Sequence, residues 1–254
     1  MVCKNFKCFL TFLTISIFTL TSGCASQNPE LKKQSQVKYD IGVMYLNKGD
    51  FSNAILNLST AQRFNSKDPY IYNALGLSYY GENMIDQAED AYKKAIALKK
   101  DFSDAHNNLG VLYLHESKWD SAIKQFKETL KNPLYMSPQI AWVNLGWAYY
   151  KKGNLKQSKG AYMNALNIAT DMPAAHNNLG LVYLKENKLK RAEAEFKTAI
   201  HYFAGYSEAY LYLGIVYMRE HNDTEAKKQF EAVLKLAPDS TFSEDARRYL
   251  KIIK

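Results

Sequence analysis

Residues 173–206 read PAAHNNLGLVYLKENKLKRAEAEFKTAIHYFAGY, and the same frame recurs along the chain in both directions. A Leu-Gly or Ile-Gly pair ends at Gly42, Gly76, Gly110, Gly146, Gly180 and Gly214, with spacings of 34, 34, 36, 34 and 34 residues. Three residues after each glycine stands a tyrosine: Tyr45, Tyr79, Tyr113, Tyr149, Tyr183 and Tyr217. Twelve residues after it stands a small residue: Ala54, Ala88, Ala122, Ser158, Ala192 and Ala226. Four further on comes a bulky one: Leu58, Tyr92, Phe126, Tyr162, Phe196 and Phe230. Small residues at fixed positions let two helices approach closely, and the tyrosine and the later aromatic are expected to fill the volume between neighbouring helix pairs. Breakers fall between the helical stretches, at Lys48-Gly49-Asp50 and Lys152-Gly153-Asn154 and at Pro69, Pro133, Pro173 and Pro238.

A 34-residue period carrying these columns is identified as the tetratricopeptide repeat. The resemblance implies an all-α fold, a right-handed superhelical solenoid in which each repeat is two antiparallel helices. The repeats are expected at 35–68, 69–102, 103–138, 139–172, 173–206 and 207–240. Residues 241–254 follow as a capping helix, opened by Thr241-Phe-Ser-Glu244, which resembles a capping box. Phe242, Ala246, Tyr249, Leu250 and Ile253 recur at helical spacing and would cover the last repeat's open apolar face. The third junction, Lys131 to Pro138, is two residues longer than the others and holds two prolines.

Composition agrees with a helical globular chain. Of 254 residues 47% are hydrophobic and 23% charged, with only 12 glycines and 6 prolines. Cys3, Cys8 and Cys24 lie ahead of the repeats and cannot staple them. Residues 1–23 read as an export signal, with Lys4 and Lys7 followed by an apolar run from Phe9 to Leu20. Twelve residues are too few to cross a bilayer as a helix, which takes about 20. Thr21-Ser-Gly-Cys24 resembles the bacterial lipobox, with Thr21 where leucine is usual and Leu20 one place earlier. That resemblance implies acylation of Cys24; ordinary cleavage after a small residue would leave it a free thiol. Ala25 in place of aspartate implies, by the same resemblance, sorting to the outer membrane, with the chain on its periplasmic face. Residues 24–34 then form the lipidated cysteine and a polar tether.

No stretch carries a catalytic signature. There is no Gly-rich phosphate loop, nucleophile elbow or His-Glu-x-x-His, so neither an enzyme nor a resident cofactor or metal is expected. His106 and His176 occupy the fourth repeat position, filled elsewhere by Tyr72, Trp142 and Tyr210, and read as packing residues. The net charge of +8 is carried by 28 lysines against 5 arginines, scattered rather than clustered, and the signal removes two of the lysines. Scarce arginine argues against nucleic-acid recognition.

The tetratricopeptide resemblance places positions two, five, six, nine, twelve and thirteen on the concave face. Asn108, Asn144 and Asn178 stand at position six of three successive repeats, and Asn73, Asn107 and Asn177 at position five. They resemble the asparagine ladder with which some family members hold an extended peptide by its backbone. An amide suits that task because it donates and accepts at once. Val111, Trp147 and Leu181 at position nine, and Tyr150 at position twelve, would supply side-chain specificity, with Trp147 the strongest anchor.

A lipoprotein signal, six repeats and a cap are together similar to the type IV pilus pilotin family. The stretch Asn132 to Tyr150 is similar to that family's expanded third-to-fourth junction. The resemblance implies a non-enzymatic scaffold that helps a pilus secretin reach and assemble in the outer membrane, with the secretin or another envelope protein in the concave groove. The alternatives are a periplasmic lipoprotein adaptor for cell-wall hydrolases or proteases and, more remotely, a hydrolase without recognisable motifs. Replacing Cys24 by serine is expected to move the protein from the outer-membrane fraction to the soluble periplasm or leave it uncleaved at the inner membrane. Unchanged outer-membrane fractionation of Cys24→Ser would refute the anchor.

Overall fold

A computed structural model describes residues 28–253; the export signal and Cys24 lie outside them. Thirteen α-helices make up the described part: α1 Pro29–Asn47, α2 Phe51–Phe64, α3 Pro69–Gly81, α4 Ile85–Leu98, α5 Ser103–His115, α6 Trp119–Leu130, α7 Pro138–Lys151, α8 Leu155–Ile168, α9 Pro173–Lys185, α10 Leu189–Tyr202, α11 Ser207–Arg219, α12 Asp223–Leu236 and α13 Thr241–Ile252. Proline at the first turn of α1, α3, α7 and α9 starts helices where a backbone N–H is unbonded anyway. Side-chain caps fix starts as well: at α2 Asp50 accepts from the Asn53 N–H at 3.1 Å, and at α3 Asp68 accepts from the Tyr70 N–H at 2.9 Å.

The first helix of every repeat ends in the same way. The residue fifteenth in the frame is left-handed, with φ of 73° at Gly49, 59° at Asn83, 58° at Ser117, 85° at Gly153, 55° at Asn187 and 57° at His221. The next N–H then returns to the carbonyl of the column tyrosine, as from Lys118 to Tyr113 and from Lys188 to Tyr183, both at 2.8 Å. The left-handed residue's own N–H returns to the carbonyl three back, as from Ser117 to Leu114 at 3.0 Å. This pair of bonds is the Schellman ending, and it is made six times.

The glycine column and the bulky column are two sides of one contact. A Cβ on Gly146 would stand 2.6 Å from a Tyr162 ring carbon, and one on Gly180 2.6 Å from the Phe196 ring. The same holds for Gly76 with Tyr92, Gly110 with Phe126 and Gly214 with Phe230, while Gly42 meets Leu58. The later aromatic therefore lies on the glycine of its own repeat, which corrects its expected place between neighbouring pairs. The column tyrosine does reach the preceding repeat: the Tyr113 hydroxyl donates to Glu89 at 2.8 Å, and Tyr217 to Glu193 at 3.1 Å.

Repeats are also tied through the fourth position. Tyr72 donates to the Ser66 carbonyl at 3.0 Å, and ring nitrogens of His106 and His176 meet the carbonyls of Lys100 and Thr170 at 3.0 Å. Each bond closes the loop entering its repeat, so both histidines are structural. The other ring nitrogen of His106 faces Gln125 and that of His176 faces Glu195, both at 2.7 Å. Burial opposes charge on His176, but Glu195 and the Thr170 carbonyl outweigh it and raise its pKa. Trp142, at the same position, takes no such part. There the longer loop is held by Asn132, which donates to the Ser103 hydroxyl at 3.0 Å and accepts from the Leu134 N–H at 3.0 Å.

Two expectations shift at the ends. Residues 29–34, read as tether, are helical, because Asn28 caps α1 by accepting from the Glu30 N–H at 3.0 Å and Pro29 starts it. At the other end the cap of α13 is Ser240, which accepts from the Ser243 N–H at 3.2 Å, rather than Thr241. The helix then covers the last repeat, with Tyr249 stacked on Phe230 at 5.2 Å.

Two glycine substitutions should separate packing from propensity. Gly146→Ala is expected to destabilise by about 1–3 kcal/mol, since the fully buried Tyr162 ring has nowhere to go. Gly160→Ala, in α8 with open space beside it, is expected to stabilise by about 1 kcal/mol through helix propensity. Denaturant melts of the two variants check the opposite signs.

Candidate functional site: the concave groove

First helices touch their counterparts in neighbouring repeats, α1 on α3, α3 on α5, and so on to α9 on α11, whereas second helices do not touch one another. The layer of first helices is therefore the tighter, inner one, and it carries positions five, six, nine and twelve.

The asparagines interlock across repeats. Asn108 donates to Asn73 at 3.0 Å, and Asn144 donates to Asn107 at 3.3 Å, so position six of one repeat grips position five of the one before. All four are half-buried, and each keeps donor or acceptor capacity to spare. Next along, Val143 occupies position five, and Asn178 instead accepts from Asn177 at 3.5 Å. Two interlocked pairs followed by a differently bonded third replace the uniform ladder expected from the spacing.

Side chains beyond the asparagines fall into two groups. Val111, Trp147 and Tyr150, all on first helices, are half-buried and pack against the core clusters. The Trp147 and Tyr150 rings stack at 5.3 Å, with Lys151 5.1 Å from the Trp147 ring and Lys185 5.1 Å from that of Tyr150. Leu181 and Asn177, expected on the surface, are buried at 4% and 0% exposure. Leu181 belongs to the large C-terminal core cluster, against which Trp147, Tyr150 and Tyr212 also pack, and these big neighbours leave it no open face.

Position-two and position-six residues of the last repeat, Glu208 and Tyr212, were not among the expected site residues, although the frame places both on this face. Burial pushes the Glu208 carboxyl above the usual carboxylate range, and the Asn177 amide works against that. The Tyr206 and Tyr212 phenols are pushed up to about 12, first by burial and then by the Glu208 charge. Among the described residues no cluster of three His, Cys, Asp or Glu could hold a metal, and no helix is long and apolar enough to cross a membrane. The face presents amides and aromatic rings.

Known proteins agree with this architecture. Tetratricopeptide-repeat models match residues 42–83, 73–137, 140–171 and 183–244. An uncharacterised protein of Haemophilus influenzae is 28% identical over 127 residues, 49% of this chain and 71% of that one. Several further curated relatives are longer proteins of which the chain spans 22% or less. Among solved structures, PilF of Pseudomonas aeruginosa superposes with a TM-score of 0.77 at 16% identity, covering 88% of this chain and 99% of that one. PilW, described as a widely conserved type IV pilus biogenesis factor, gives 0.77 at 19% identity, covering 85% and 98%. At these identities the likeness is one of fold. The repeat frame, the interlocked first helices and the matching models together place the chain in the tetratricopeptide-repeat family.

Proposed function

We propose that this protein is a lipid-anchored scaffold of the outer membrane that holds an extended segment of an envelope protein in its concave groove, and that it serves pilus biogenesis as a secretin-assembly factor. The observation that supports this reading is the likeness of fold to two pilus proteins, whose solved chains are covered to 99% for PilF and 98% for PilW. The groove supports it chemically. Asn73, Asn107, Asn108 and Asn144 present amides in register with successive repeats, and peptide groups along an extended strand are their natural partners. The scaffold role needs no turnover.

Deleting the gene is expected to deplete multimeric secretin and surface pili while leaving secretin monomer present. Wild-type protein should restore them, and a variant with Asn108, Asn144 and Asn178 all changed to alanine should not. Net hydrogen bonds of about 0.5–1.5 kcal/mol each make the expected loss of affinity roughly ten- to a thousandfold. Normal multimers in the deletion strain, with an altered peptidoglycan profile, would turn the assignment to a hydrolase adaptor.

A further inference from the structure

Helix direction alternates along the chain, so every first helix starts, and every second helix ends, on one long edge of the solenoid. Asn28, the cap of α1, stands on that edge with the loops that join one repeat to the next. The turns within repeats, such as 48–50 and 186–188, form the opposite edge. Exposed apolar side chains are divided unequally between the two. The most exposed large ones among the described residues, Leu134 at 82% and Met136 at 90%, both stand on the Asn28 edge. Tyr70, Ile168, Tyr202 and Phe203 are exposed along it as well, whereas the far edge shows Met44, Met84 and Ile252.

Leu134 and Met136 are held out rather than left loose. Asn132 donates to the Ser103 hydroxyl at 3.0 Å and accepts from the Leu134 N–H at 3.0 Å, and its carbonyl accepts from the Tyr135 N–H at 3.2 Å. Tyr135 is half-buried beside a pocket shared with Tyr70, Phe102 and Ser103, and its two neighbours stay outside. Side chains presented on a pinned loop cost little to order on contact. Contiguous exposed apolar surface marks a place of contact. Charge does not draw the partner here, because Lys67-Asp68 and Lys99-Lys100-Asp101 pair both signs and the loop Phe203-Ala-Gly-Tyr206 carries none.

Chain length names the partner. With 29–34 helical, only residues 25–27 separate Cys24 from the cap at Asn28. Four residue steps reach at most about 14 Å. The far edge stands about 20 Å further off, the length of a 13-residue helix such as α3. An acyl chain on Cys24 therefore keeps the Asn28 edge, with its apolar tips, beside the lipid. We propose that this edge docks on the phospholipid bilayer and that Leu134 and Met136 insert into its acyl region. The contact is apolar and needs no anionic lipid. Anchor and tip together stand the helices up from the membrane, so that the concave groove opens sideways along it. This assignment rests on the lipid anchor of the proposed function and is independent of what the groove holds.

The mature acylated chain offers no free thiol, since Cys3 and Cys8 leave with the signal, so single cysteines can be labelled. The full acylated protein is reconstituted in vesicles of phosphatidylcholine and phosphatidylethanolamine whose acyl chains carry nitroxides. An environment-sensitive fluorophore is placed on Met136→Cys, on Ile140→Cys nearby, or on Lys156→Cys in the first turn of α8 at the far edge. Emission is expected to be quenched from 136 and 140 and not from 156. Changing Leu134 and Met136 together to serine should abolish quenching at 140 and leave flotation with vesicles and melting temperature unchanged. Protein that floats but is unquenched at 136, or is quenched equally at 136 and 156, overturns the docking edge and leaves the anchor in place. Emission at 136 that turns blue only in native envelopes gives the tip to a protein partner and overturns it too. Quenching at 140 that survives both serines overturns Leu134 and Met136 as the inserting residues. Protein that fails to float overturns anchor and edge together.

Discussion

Everything in this fold hangs on a ring lying against a bare backbone. In five of six repeats an aromatic side chain rests on the glycine of its partner helix, and in the first Leu58 does so. No other residue type permits that approach, because even a methyl group would stand about 2.5 Å from ring carbon atoms. The contact sets the distance between the two helices of a repeat. Repetition every 34 residues then sets the distance between repeats, so that first helices meet their neighbours along the inner face and second helices spread apart outside. The groove is a consequence of that asymmetry, and its side chains are those that the contact leaves facing inward.

This explains which features the sequence disclosed. Columns at a fixed separation are visible as soon as the period is found, so the repeats and their register were readable directly, whereas the partner of the later aromatic was not: it was expected between neighbouring helix pairs and lies on the glycine of its own repeat. The capping helix was readable for a related reason, since its apolar residues recur at helical spacing. Left-handed turns were legible at Gly49 and Gly153, but not at Ser117 or His221. There the Schellman bonds impose the conformation on residues that do not favour it, at about 1–2 kcal/mol each. The helical start at Pro29 was missed because a polar composition was read as a tether, although Asn28 and Pro29 together are a start signal.

The groove was legible in part. Position in the frame puts Asn73, Asn107, Asn108, Asn144, Val111, Trp147 and Tyr150 on the layer of first helices, where all seven are half-buried. Frame position does not say how large the neighbours are. Asn177 and Leu181 lie where Trp147, Tyr150 and Tyr212 crowd the inner layer, and they are sealed beneath it. The interlocking of Asn108 with Asn73 and of Asn144 with Asn107 likewise depends on a separation that only the packed helices define.

The account makes the inner face the working face, and site-specific photocrosslinking in cells puts that to the most direct test. A photoreactive amino acid at Val111, half-buried on the inner layer, is compared with one at Ala194, exposed on α10 in the outer layer. The account predicts a discrete crosslinked adduct with an envelope protein from position 111 and none from position 194. An adduct formed from position 194 alone would contradict it and move the partner to the convex side.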